Sequence, residues 1–118
     1  MKKIVLLGDS IIDNKVYVQP KELSVTEHLQ CIQEHEVIQI AVDGDTTHDV
    51  ISDQINKIPE DATDLVLSIG GNDLLHEIEF LFQNFKYTPN KVLNMTGLLL
   101  SPVISRYETI VGNLSNYR

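Results

Sequence analysis

A chain of 118 residues, 42% hydrophobic and 22% charged, has the make-up of one ordinary globular domain spanning residues 1–118 and is too short for two. Its net charge of -8 (9 Lys and Arg against 17 Asp and Glu), with no basic cluster, repels phosphate backbones and anionic lipid, which excludes nucleic acid and membrane surfaces as expected partners. The single Cys31 has no disulfide partner within the chain, and the apolar run Ile4 to Leu7 stops at Gly8-Asp9, well short of a signal peptide's core of roughly 7–15 residues, so the expected compartment is the cytoplasm.

The first predicted element is a strand from Lys3 to Leu7, followed by an irregular segment through Gln19-Pro20. Ser24-Val25-Thr26-Glu27 has the spacing of a capping box, and Val25, Leu29 and Ile32 then mark one face of a helix. Glu36 to Ala41 forms the second strand. The next helix begins at Thr46 or Thr47, buries Ile51, Ile55 and Ile58, and ends before Pro59. Asp64 to Ile69 reads as a third strand, apolar on both faces as a buried parallel strand is.

A third helix follows from Asp73 to about Gln83. Residues 85–95 carry the least regular pattern, with Thr88-Pro89-Asn90 a turn signal. Ser101-Pro102 is the expected start of a last helix, with Val103, Tyr107, Ile110, Leu114 and Tyr117 along its buried face. Three strand–helix units in a row call for a parallel sheet with helices on its faces.

Each strand leads into a polar, turn-forming loop, and in a parallel sheet all three loops share the carboxyl edge where such folds bind ligands. The loops are Gly8-Asp9-Ser10, Asp43-Gly44-Asp45-Thr46 and Gly70-Gly71-Asn72-Asp73. Acyl transfer needs a nucleophile beside fixed N–H donors that meet the developing oxyanion. Ser10 supplies a hydroxyl and a backbone N–H, Gly44 a backbone N–H in a loop that a ligand can approach closely, and Asn72 a side-chain amide. Other roles remain open for the same residues: Ser10 as a turn serine, Asn72 as the N-cap of the third helix, and Thr46 and Thr47 as caps. The Gly-x-Ser-x-Gly elbow of α/β-hydrolases is absent.

These three blocks resemble those of the SGNH, or GDSL, hydrolases: Gly8-Asp9-Ser10-Ile11 the first, Gly44-Asp45-Thr46 the second, and Gly70-Gly71-Asn72-Asp73 the third, in the family's order and one per strand–helix unit. The resemblance implies a flavodoxin-like three-layer α/β/α fold with a parallel sheet and an esterase, lipase or acyl-hydrolase activity on small-molecule esters, with no metal or organic cofactor. It also implies Ser10 as the nucleophile, Ser10, Gly44 and Asn72 as the oxyanion hole, and Asp9 as a loop-organising residue.

One block has no counterpart. The family's Asp-x-x-His segment supplies the general base and its acid partner from a loop near the C-terminus, whereas here the only histidine after Asn72 is His76 and no Asp occurs beyond Asp73. The expectation is a C-terminally truncated domain whose Ser10 is weakly reactive or inert, with the third strand left as an apolar edge open to self-association. His48 and His76 are the candidates for a substitute base, neither with an evident orienting carboxylate; His28 and His35 flank the first helix, away from the loops. Two alternative readings are a non-catalytic remnant and a Mg²⁺-binding, receiver-like α/β domain built on Asp9, Asp43, Asp45 and Asp73. The second lacks paired acids at the first strand's end and a lysine at a later one.

Overall fold

The structure, a computed structural model, describes residues 1–32, 34–83 and 89–117. Three parallel strands, β1 (Lys2–Gly8), β2 (His35–Gln39) and β3 (Asp64–Ser68), form one sheet in the order β2-β1-β3. Ile4 lies opposite Val37 on one side of β1, and Leu6 opposite Val66 on the other. β1 is central because it is the most apolar strand: Val5, Leu6 and Leu7 are essentially inaccessible to solvent. Burial of each such side chain contributes about 1.5–3 kcal/mol.

Alternation along β1 divides the core between the two faces of the sheet. On one face Val5 and Leu7 join Ile40, Ile58 and Ala62, with Leu65, Leu67 and Leu114 packed against them. On the other, Leu6 joins Ile12, Val37 and Ala41, with Ile4 and Leu29. Leu29 belongs to α1 (Val25–Gln30) and Leu114 to α4 (Pro89–Ser115), so helices cover both faces in a layered α/β/α arrangement. No helix among the described residues is long and apolar enough to cross a membrane.

The helix starts follow the sequence chemistry. Ser24 Oγ accepts from Glu27 N (3.1 Å) and Glu27 Oε2 accepts from Ser24 N (2.7 Å), the reciprocal capping box that opens α1. Asp49 Oδ2 accepts from both Thr46 N (2.8 Å) and Thr46 Oγ1 (2.9 Å) at the start of α2 (Thr47–Ser52). A 3-10 turn, Gln54–Lys57, continues the path of α2 toward Ile58.

Several expectations require correction. The predicted third helix begins two residues early: α3 runs Gly71–Phe82, which places Asn72 inside the first turn and removes its N-cap role. The last helix does not start at Ser101-Pro102. α4 begins at Pro89, so residues 89–95 are helical rather than irregular, and Pro102 lies in the helix interior; the start of the irregular stretch, residues 85–88, including the first residue of the predicted turn, lies outside the described residues. A proline there removes the bond to the carbonyl four residues earlier. That carbonyl belongs to Leu98, which is exposed like Pro102 itself, so water can serve it.

The buried stripe of α4 is Val103 and Ile110 with half-buried Leu114, whereas Tyr107 and Tyr117 are exposed. They stand over the outer flank of β3, where they border a cleft with Leu65 and Leu67. β3 is likewise not covered on both faces: it is an edge strand, and Val66 is 45% exposed.

Candidate active site

Because the strands are parallel, the turns after β1, β2 and β3 meet at one edge, and a set of buried side chains fixes them to one another. Gly8 ends β1 at a φ of 141°, and a Cβ there would lie 1.9 Å from the Ser68 carbonyl oxygen, so only glycine lets β1 pass β3 at this point. The chain then turns on Asp9, which is 3% exposed. Its N–H donates to the Ser68 carbonyl (3.2 Å), its Oδ1 accepts from Ile11 N (3.0 Å), and its carbonyl accepts from Ile12 N (3.1 Å) and Asp13 N (2.9 Å). This side-chain-to-backbone turn holds Ser10 half-buried at its apex. Neither the Ser10 hydroxyl nor its N–H makes a hydrogen bond among the described residues.

The second loop is tied to the first by Gln54, which is fully buried. Its Nε2 donates to the Gly8 carbonyl (2.8 Å) and to Asp45 Oδ2 (2.7 Å), while its Oε1 accepts from Gly8 N (2.8 Å). Gly44 stands before Asp45, exposed, at a φ of 89° that places it in the left-handed region, and its N–H is likewise uncommitted among the described residues. Asp13 Oδ2 accepts from Asp43 N (2.8 Å) and Tyr17 Oη donates to Asp43 Oδ2 (2.8 Å), which raises the phenol's pKa.

The third loop is tied to the second at two points. Asn72 Nδ2 donates to the Asp45 carbonyl (2.9 Å), an amide group with two hydrogens of which this bond uses one. Asp73, 4% exposed, accepts from Thr47 N (3.0 Å, Oδ2) and Thr47 Oγ1 (2.7 Å, Oδ1). Arg106 reaches in from α4, its Nε donating to Thr47 Oγ1 (2.7 Å) and its Nη2 lying 3.4 Å from Asp73 Oδ1. The loops of Gly44 and Asn72 are thus cross-linked to each other, and both loops of β1 and β2 to Gln54.

His48 and His76 are exposed, and neither makes a hydrogen bond to Ser10 among the described residues. A carboxylate does lie near both. The Thr46 N–H holds the Asp49 carboxyl below its usual range against the effect of burial, and the Thr46 hydroxyl and the charges of His48 and His76 add to this. Asp49 accepts from Thr46, however, and bonds neither imidazole. Of the acids at the carboxyl edge, Asp9 and Asp45 are engaged by neutral donors and Asp73 by Thr47 and Arg106, and the described residues contain no group of three or more His, Cys, Asp or Glu able to hold a metal.

Three residues of this network escape a reading by motif. Gln54 was detectable: it stands four residues from both Val50 and Ile58, a polar group on a stripe that is otherwise buried and apolar. Thr47 reads as a cap but is wholly buried, with its hydroxyl bonded across the loops. Arg106 has no local signal, since its partners lie 59 and 33 residues away. Models of protein families, characterised proteins and solved structures yield no match to this chain.

Proposed function

We propose that this chain carries the nucleophile and the oxyanion hole of an SGNH/GDSL-type serine ester hydrolase on a flavodoxin-like frame, with Ser10 as nucleophile. Ser10 Oγ attacks the carbonyl carbon of a small ester and loses its proton as the C–O bond forms. The negative charge that develops on the carbonyl oxygen is met by the N–H groups of Ser10 and Gly44 and the free hydrogen of Asn72 Nδ2. Collapse expels the alcohol and leaves an acyl group on Ser10, which water then releases as the acid.

The observation that carries this reading is the bond from Asn72 Nδ2 to the Asp45 carbonyl, which sets the asparagine amide against the residue that follows Gly44. Among the described residues all three donors retain an unused hydrogen for a ligand. Asp9 fits the loop-organising role, being buried and bonded on both sides of Ser10.

The base is the weak element. The two Asp-x-x-His spacings in the sequence, Asp45–His48 and Asp73–His76, fall in the second and third loops with their carboxylates held by Gln54 and by Thr47 and Arg106, and among the described residues no imidazole is bonded to Ser10; solvent therefore takes the serine proton, and turnover is correspondingly slow. A well-built oxyanion hole alone retains about 10³–10⁴ over the uncatalysed rate in a triad protease. The test is labelling by a fluorophosphonate, comparing the chain with Ser10→Ala. Slow labelling confined to the serine form supports the reading; equal signal from both forms, or none from either, sinks it.

A further inference from the structure

We propose that Arg106 is a positioning residue for the oxyanion loops, holding Asn72 in place through Thr47 and Asp73. The proposal rests on the hydrolase reading for its purpose, though not for its geometry. Arg106 is the one cationic side chain that any described helix delivers to the buried junction of the second and third loops. It comes from the middle of α4, the helix whose Leu114 packs against the apolar core of the sheet.

The bonds have a direction. A threonine hydroxyl has one hydrogen and accepts through its lone pairs. Arg106 has no acceptor, so its Nε–H must donate to Thr47 Oγ1, and the single Oγ1 hydrogen is left to point at Asp73 Oδ1. Without the guanidinium that hydroxyl is free to rotate, and the buried Asp73 carboxylate keeps only the Thr47 N–H as a fixed donor. Loss of a partner to a buried charge is far costlier than loss of an exposed ion pair. Here Asp73 is the buried member and Arg106, 34% exposed, the outer one.

Asp73 follows Asn72 in the first turn of α3, and Thr47 lies two residues beyond Asp45, whose carbonyl receives the Asn72 amide. The two cross-loop links therefore flank the proposed donors: Thr47–Asp73 on one side, Asp45–Asn72 on the other. A shift of Asp73 displaces Asn72 directly. Misplacement of a reacting group by about 1 Å can cost on the order of 10²-fold in rate.

The experiment compares the full chain with Arg106→Met and Arg106→Lys, with Leu114→Ala as a control that loosens α4 elsewhere. Two readouts are followed: the rate of Ser10 labelling by a fluorophosphonate, and the chemical shift and hydrogen-exchange protection of the Asn72 side-chain amide by NMR. Arg106→Met is expected to slow labelling at least tenfold and to abolish the Asn72 amide protection. Arg106→Lys, a point charge able to serve one partner, restores part of both, while Leu114→Ala alters neither.

An Asn72 amide signal unchanged in folded Arg106→Met overturns the proposal, as does the same loss in Leu114→Ala. If Arg106→Met fails to fold, Arg106→Lys carries the comparison, and wild-type values there count against the role. Should the wild-type chain take no label while Arg106→Met still releases the Asn72 amide, the positioning role stands and the hydrolase reading falls.

Discussion

The side chain of Gln54 pairs with the backbone of Gly8 as a neighbouring strand would, accepting from its N–H and donating to its carbonyl, each at 2.8 Å. The end of β1 is thereby held from the side that faces α2, at the point where Ser10 must be aimed. Gln54→Leu keeps the bulk but leaves the Gly8 N–H and Asp45 Oδ2 without this partner. An unsatisfied buried group costs about 1–3 kcal/mol, so a loss of about 2–4 kcal/mol is expected in urea unfolding. A loss below about 0.5 kcal/mol would show that the amide merely fills space.

Gly8→Ala meets two obstacles at once. The φ of 141° is closed to side chains, and the new Cβ would press into the Ser68 carbonyl, a backbone atom of the adjacent strand. Backbone strain and overpacking each cost about 1–3 kcal/mol, so the variant is expected to lose about 2–6 kcal/mol. Because β1 and β3 must separate to relieve the clash, hydrogen exchange should rise first at the Gly8–Ser68 end of the ladder. A melting temperature equal to that of the parent chain refutes the argument.

The local parts of this architecture are written locally. Four apolar residues ending at Gly8 mark β1, and Ser24 with Glu27 marks the start of α1, because both signals lie within a few residues of the structure they produce. The three loops and Ser10, Gly44 and Asn72 were legible in the same way. The ties between loops were not: Gln54–Gly8, Thr47–Asp73 and Arg106–Thr47 span 46, 26 and 59 residues. Pro102 misled for a physical reason. Its cost of about 3 kcal/mol in a helix interior is offset by burial of Val103 and Ile110, each worth about 1.5–3 kcal/mol, so packing on the core sets the course of α4.

Acid should weaken the protein through Glu27. The Lys15 ammonium, then the Ser24 N–H, lower its carboxyl from 4.5 to about 2. A carboxyl with a depressed folded-state pKa stabilises above the unfolded value, and that contribution fades as pH falls from about 4.5 toward 2. Glu27→Gln still accepts from Ser24 N–H, so the capping box survives while the titration disappears. Between pH 6 and 2.5 the urea midpoint of the parent chain is expected to fall further than that of Glu27→Gln; parallel curves would remove Glu27 from the acid limb.

Asn72→Ala separates the donor from the nucleophile. It removes one oxyanion hydrogen while leaving Ser10, Asp9 and the Thr47–Asp73 link in place. Loss of one such donor typically costs about 10²–10³-fold, and a drop of that order is expected in Ser10 phosphonylation, with an unchanged circular dichroism spectrum. A change under threefold would make the Asn72 amide a loop tie and nothing more.

β3 offers the last test. It is an edge strand of five residues, Asp64-Leu65-Val66-Leu67-Ser68, with neither lysine nor proline along it, and no strand pairs with its outer side among the described residues. Charged residues and prolines are the usual means by which an edge resists pairing with a second chain. Val66, 45% exposed at the centre of the strand, adds apolar surface that water leaves readily, and the cleft bordered by Leu65, Leu67, Tyr107 and Tyr117 adds more on the opposite face. Self-association is therefore expected, visible as a sedimentation coefficient that climbs with protein concentration. Val66→Lys should shift the chain toward monomer without loss of the sheet, since the position is half open to solvent and Val66 belongs to neither core cluster. A parent chain that stays monomeric across the concentration range, or a Val66→Lys variant that associates as strongly, would show that this edge is already protected.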